Sequence, residues 1–206
     1  MEENCGVFGL CSADKKQVVK DIYYGIFKLQ HRGQRYCGIA TSSQADIHII
    51  THKGFVRHTF TEEELRLLKG PIGIGHVSLK DRQPVVLISR MGKFAIAFSG
   101  NILNSVKLRN QLKNEGHSFS SETDIELLGK LISYEKNFLN GIIKLSEKVK
   151  GAYSIVILTK DGIYAARDPY GFKPLILGKK EGSLAVSSES RPFDILGMEI
   201  LRDVEP

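Results

Sequence analysis

Gly6-Val7-Phe8-Gly9-Leu10-Cys11 is a short apolar run flanked by glycines, with Cys5 at its entrance. A continuous apolar stretch of this length with glycine punctuation reads as a buried strand that begins almost at the N-terminus. Working outward from it, Val18, Val19, Ile22, Tyr23, Ile26 and Phe27 recur at spacings of three and four between Lys16 and Gln30. That period puts them on one face of an amphipathic helix, which Gly33 is expected to end after His31-Arg32. Gly38 to Thr41 and Ile47 to Thr51 then read as a hairpin whose polar turn is Ser42-Ser43-Gln44-Ala45-Asp46.

A short helix is expected around Glu62 to Leu68, followed by strands at Gly73 to Val77, Val85 to Ile88 and Phe94 to Phe98. Three helices come next: Ser105 to Lys113 with Asn104 as cap candidate, Asp124 to Tyr134 with Thr123, and Phe138 to Val149. Strands return at Tyr153 to Thr159 and Ile163 to Ala166 around Asp161-Gly162. Two more, Leu175 to Leu177 and Leu184 to Ser187, flank Lys180-Glu181-Gly182, and Glu199 to Arg202 is the last. Strands, a block of helices and strands again make an α+β pattern of largely antiparallel sheets covered by helices. The 206 residues show no repeat or linker and are expected to form one domain, although the ending Arg202-Asp203-Val204-Glu205-Pro206 looks abrupt, as though a longer parent continued.

Hydrophobic residues at 42% and charged residues at 25% are those of a globular domain and argue against disorder. No stretch approaches the ~18 apolar residues of a membrane span, and Met1-Glu2-Glu3-Asn4 is acidic where a secretory signal would be basic, so the expected address is cytoplasmic, with no membrane partner. The excess of 29 Lys+Arg over 23 Asp+Glu is mild and scattered, without aromatic interleaving; nucleic acid is not an expected partner. Cys5, Cys11 and Cys37 have no CxxC spacing, so neither a disulfide framework nor a metal site is indicated, and no cofactor is expected.

Cys5 is the sharpest chemical candidate. If the residues before it were removed, its freed α-amine, with an ordinary pKa of about 7.7, would suit proton abstraction from the thiol at neutral pH. The other reading is an ordinary buried cysteine. Leu29-Gln30-His31-Arg32-Gly33-Gln34 joins a guanidinium and a glycine at a helix end, a place to bind a carboxylate or brace a turn.

Taken together, Cys5-Gly6-Val7-Phe8-Gly9 and Leu29 to Gln34 resemble the glutaminase domain of the amidophosphoribosyltransferase family. Further matching segments follow in order: Gly73 to Val77, Gln83-Pro84, Gly100-Asn101 through Asn104, and Gly151-Ala152-Tyr153. The series closes with Arg167-Asp168-Pro169-Tyr170-Gly171, Pro174-Leu175, Ser188-Glu189-Ser190 and Asp203 to Pro206. The resemblance implies a four-layer α/β/β/α sandwich of the N-terminal-nucleophile hydrolase type. It also implies a reaction in which an N-terminal cysteine attacks the amide of glutamine, ammonia leaves, and water frees glutamate from a thioester. In that family the ammonia passes to a phosphoribosyltransferase domain, which would be absent here. The expected partners are therefore a small-molecule amide, glutamine or an analogue, and a separate ammonia-accepting synthase or phosphoribosyltransferase.

Carried over by position, Cys5 is the nucleophile, Arg32 and Gly33 are its substrate-binding neighbours, and Gly100 is the oxyanion-hole glycine. Three positions depart from the family's pattern. Ser78 stands where an arginine clamps the α-carboxylate, Ser99 where an asparagine donates to the oxyanion, and Glu122 where an aspartate pairs with the α-ammonium. Loss of an oxyanion donor costs about 10²–10³ in turnover. In the shortened loop Leu79-Lys80-Asp81-Arg82, Lys80 or Arg82 is a candidate replacement cation, though neither reproduces a bidentate clamp automatically. Residues 1–4 read as a short propeptide cleaved at Asn4-Cys5. Three functions fit: a glutaminase serving purine synthesis, a hydrolase of a related amide, or an impaired regulatory or ligand-binding paralogue.

Overall fold

The computed structural model describes residues 5–43 and 46–206; the expected Met1–Asn4 propeptide and the middle of the Ser42–Asp46 turn lie outside the described residues. In chain order come β1 (Gly6–Ser12), α1 (Val19–Lys28), β2 (Tyr36–Ser42), β3 (Ile47–Lys53), α2 (Val56–Thr59) and α3 (Glu62–Leu67). Next are β4 (Ile72–Ser78), β5 (Val85–Ser89), β6 (Gly92–Ile102) and three helices, α4 (Ser105–Asn114), α5 (Asp124–Ser133) and α6 (Phe138–Lys148). The chain closes with β7 (Gly151–Leu158), β8 (Ile163–Arg167), β9 (Ile176–Lys180), β10 (Ser183–Ser187), α7 (Arg191–Leu196) and β11 (Glu199–Asp203).

Two antiparallel sheets stack face to face, one ordered β11-β9-β10-β1-β4-β2-β3 and the other β5-β6-β7-β8. Strand alternation builds the four layers. In β1, Phe8 and Leu10 point outward to α1 and α7, while Val7 turns inward to the second sheet. In β6, Phe94, Ile96 and Phe98 pack under α4, α5 and α6, and the intervening Ala95 and Ala97 face the first sheet. This is the α/β/β/α sandwich expected above, with the apolar run at Gly6 central in the larger sheet.

The differences from the sequence reading are local. Gly33 does not end α1: the helix cap is Leu29, a 3-10 turn over Gln30–Arg32 follows, and Gly33 is extended at φ −161°. Asn104 does not cap α4 with its side chain, which instead takes Lys150 N at 2.9 Å and donates to Lys148 O at 2.9 Å. Thr123 likewise makes no side-chain cap on α5. The strand expected at Leu175 to Leu177 lies at Ile176–Lys180, and α2 and α7 are additional helices.

Candidate active site

Cys5 precedes β1, the strand that pairs with β10 on one side and β4 on the other. Its carbonyl accepts two hydrogen bonds, from Arg32 Nε at 2.8 Å and from Ser99 Oγ at 2.8 Å. The first donor comes from the turn after α1 and the second from β6 in the opposite sheet, so the nucleophile candidate is gripped where the sheets face each other. Its thiol, only half buried, reaches Ser78 Oγ at 3.5 Å. Burial pushes the Cys11 and Cys37 thiols up, which leaves both less able to form a thiolate at neutral pH.

Ser78 is fully buried at the end of β4, and its hydroxyl also accepts from Lys80 N at 3.0 Å and Asp81 N at 3.1 Å. It anchors the start of the following loop, in which Arg82 is exposed. Gly33 lies against this strand end. A Cβ built on it would fall 2.3 Å from Ser78 N and 2.5 Å from Val77 C, so only glycine lets the Arg32 turn approach the β4 backbone this closely. The glycine serves close approach, not helix termination.

Ser99 and Gly100 sit on β6 beyond its last pair with β5, Val85–Ile96. There the open edge is completed by side chains: Gln83 Oε1 accepts from Phe98 N at 2.7 Å, and His76 Nε2 donates to Phe98 O at 2.9 Å. His76 is fully buried, and desolvation lowers its pKa from 6.5 to about 4 despite the bond to Phe98, so it is neutral at physiological pH. Gly100 has φ +154°, and a Cβ there would meet Ala152 O at 2.2 Å. Its cross-strand partner Tyr153 is held in turn by Asp168, whose carboxylate accepts from four backbone N–H groups, those of Tyr153, Tyr170, Phe172 and Lys173.

Cys5, Arg32, Gly33, Ser78 and Ser99 therefore converge, and Gly100 adjoins them. Glu122 is placed otherwise: its carboxylate, with the side chain 79% exposed, pairs with Arg109 Nε at 3.3 Å and Lys113 Nζ at 3.8 Å. The Glu122 loop is itself firmly built, since Glu126 accepts from Ser120 and Ser121 while Arg109 donates to the carbonyls of Ser121 and Thr123. Sequence reasoning gave no role to His76, Gln83 or Glu189. The Gly75-His76-Val77, Gln83-Pro84 and Ser188-Glu189-Ser190 segments carried a signal by motif order, which marks the segments but not the contacts of these side chains. Among the described residues no group of three or more His, Cys, Asp and Glu is arranged to hold a metal, and no helix is long and apolar enough to cross a membrane.

Residues 72–194 match the glutamine amidotransferase domain family. The amidophosphoribosyltransferase of Methanocaldococcus jannaschii is 41% identical over 214 residues, covering 98% of this chain and 45% of that protein. A solved structure of glutamine phosphoribosylpyrophosphate amidotransferase from Bacillus subtilis, complexed with ADP and GMP, superposes with a TM-score of 0.91 at 35% identity, over 98% of this chain and 46% of that one. A class-II glutamine aminotransferase domain protein from Silicibacter pomeroyi, at 13% identity and a TM-score of 0.60, shares the fold. The chain belongs to the glutamine amidotransferase domain family, and its sandwich is of the N-terminal-nucleophile hydrolase type. Within that family it is similar to the glutaminase domain of amidophosphoribosyltransferase. The chain spans about half the length of the curated relatives it matches.

Proposed function

We propose that this domain hydrolyses the side-chain amide of glutamine, or of a closely related amide, and supplies the ammonia to purine nucleotide synthesis. The observation that carries the proposal is the Cys5 carbonyl held by Arg32 and Ser99 in a residue that is not fully buried. A residue fixed through its backbone with its nucleophile accessible is prepared for attack rather than for packing.

Cleavage at Asn4-Cys5 turns the Cys5 nitrogen into an amine that takes the thiol proton. The thiolate attacks the amide carbon, and the C–N bond breaks as the amine returns the proton to the leaving ammonia. Water then adds to the thioester, the C–S bond breaks, and the carboxylic acid product and free thiol are restored. Ser99 Oγ is committed to the Cys5 carbonyl, so the oxyanion is assigned to the backbone N–H of Gly100. Alternation along β6 turns that N–H to the same open edge as the Phe98 N–H taken by Gln83.

Gly33, Ser78 and Arg82 are assigned to the substrate pocket, whereas Arg32 is taken up by the Cys5 carbonyl and Glu189, and Glu122 by Arg109 and Lys113. With Ser78 engaged by two loop amides, the α-carboxylate is left to the exposed Arg82, which favours testing amides beyond glutamine. The ammonia acceptor is a phosphoribosyltransferase, and the compartment is the cytosol. The test is ammonia release from glutamine, asparagine and simple amides by protein whose N-terminus is Cys5. Equimolar ammonia and acid, abolished in Cys5→Ala, are expected; no ammonia from any of the amides overturns the proposal.

A further inference from the structure

We propose that Glu189 is a positioning residue for the nucleophile, acting through Arg32; the inference rests on Cys5 being that nucleophile. Arg32 divides its guanidinium between two partners: Nε donates to the Cys5 carbonyl at 2.8 Å and Nη1 donates to Glu189 Oε1 at 2.8 Å. A guanidinium on a flexible stem does not hold a neutral carbonyl in one orientation by itself, whereas a charge-assisted bond to a second, fixed group sets its plane. Glu189 is that group. Its backbone N–H donates to Ser187 Oγ at 3.2 Å, and His31 Nε2 lies 2.9 Å and 3.0 Å from its two carboxylate oxygens.

The anchor reaches β1 by a second route. Ser188 N donates to Val7 O at 3.0 Å, and Ser188 Oγ accepts from Val7 N at 3.0 Å. Two residues beyond Cys5, the strand is thus tied to the segment that carries Glu189. Cys5 is located from its own carbonyl through Arg32 and from Val7 through Ser188, and both paths end on residues 188–189. The pairing also holds the Arg32 charge on Glu189. Burial alone would push the Glu189 carboxyl up, but the bonds from Arg32 and His31 more than offset this and hold it below the usual carboxylate range.

The experiment compares wild type, Glu189→Gln and Glu189→Ala in the full chain, with carbonyl-13C cysteine and 15N glycine incorporated. Two Cys-Gly pairs give signals, Cys5-Gly6 and Cys37-Gly38, and the second is an internal control. The Cys5 carbonyl signal is expected to move upfield in Glu189→Ala and less in Glu189→Gln, which keeps an acceptor oxygen but loses the charge, while the Cys37 signal stays in place. Turnover is read in parallel on the matured protein: kcat is expected to fall roughly tenfold at unchanged KM in Glu189→Ala and to recover in part with added formate. A Cys5 signal unmoved in both variants overturns the inference, and if Glu189→Ala does not fold, the isosteric Gln variant decides alone. Absence of amide hydrolysis by wild type is a failure of the proposed function only, since the carbonyl signal still decides the role of Glu189.

Discussion

Ser99 Oγ donates to the carbonyl of Cys5 at 2.8 Å although the two residues are 94 positions apart, Cys5 leading into β1 of one sheet and Ser99 lying on β6 of the other. The bond ties the nucleophile candidate, at the entrance to one sheet, to a strand of the other. Replacement by alanine leaves Arg32 as the carbonyl's donor, so the cost is one hydrogen bond without an orphaned acceptor. Ser99→Ala is expected to lose about 1 kcal/mol of stability and roughly tenfold in kcat, read by urea unfolding and by ammonia release.

Gly33 offers a test of close approach. In Gly33→Ala the new methyl meets backbone atoms of Val77 and Ser78, which cannot swing aside as a side-chain end can. A destabilisation of about 1–3 kcal/mol is expected, together with slower Cys5 alkylation by iodoacetamide as the Arg32 turn is displaced. An unfolding midpoint equal to that of wild type would contradict the packing described.

His76 predicts a pH dependence of stability. Folded, it takes up a proton only near pH 4, against 6.5 for an ordinary histidine, so between those values the unfolded chain binds more protons than the folded one. Stability therefore falls as pH drops through this window, by up to about 3 kcal/mol from this residue. Urea unfolding of wild type and His76→Gln from pH 7 to pH 4.5 is expected to show a flatter dependence in the variant, whose amide can still donate to Phe98 O.

Asp168 gathers four backbone N–H groups, one of them on the strand opposite Gly100. Asparagine supplies a single acceptor oxygen and leaves the bonds on the other side unmet. Asp168→Asn is expected to cost about 2–4 kcal/mol and to accelerate amide exchange at Tyr170, Phe172 and Lys173, measured by hydrogen–deuterium exchange.

The strand at Gly6 and the helix face from Val19 to Ile26 were legible because a central apolar run and a 3.6-residue period are imposed by burial itself. The glycine-marked turn before β10 was legible for a conformational reason: Glu181 and Gly182 both have positive φ there. The helices Val56–Thr59 and Arg191–Leu196 span too few turns for a period to show. At the site, Cys5, Arg32, Ser78 and Ser99 were identifiable from motif order. Their contacts were not, because each joins residues far apart in the chain. Gly33 illustrates the limit: sequence marks it as a residue that must lack a side chain, but the steric reason belongs to Val77 and Ser78. For Glu122, a neighbouring arginine and lysine on α4 take the carboxylate, a pairing that no local pattern announces.

The Cys5 setting draws on Arg32, Ser99 and, through Arg32, Glu189, the last separated from Arg32 by 157 positions. Val7 waits still longer for its partner, 181 positions downstream. During synthesis from the N-terminus, the thiol is therefore among the first groups made, while the partners of its surroundings are made only with β10 and the segment after it. A chain that stops before β10 lacks both Ser188 and Glu189, and with them the ties these make to Val7 and Arg32. Under the proposed function, the full setting of Cys5 is thus a property of residues 5–189 together, not of the N-terminal part of the fold.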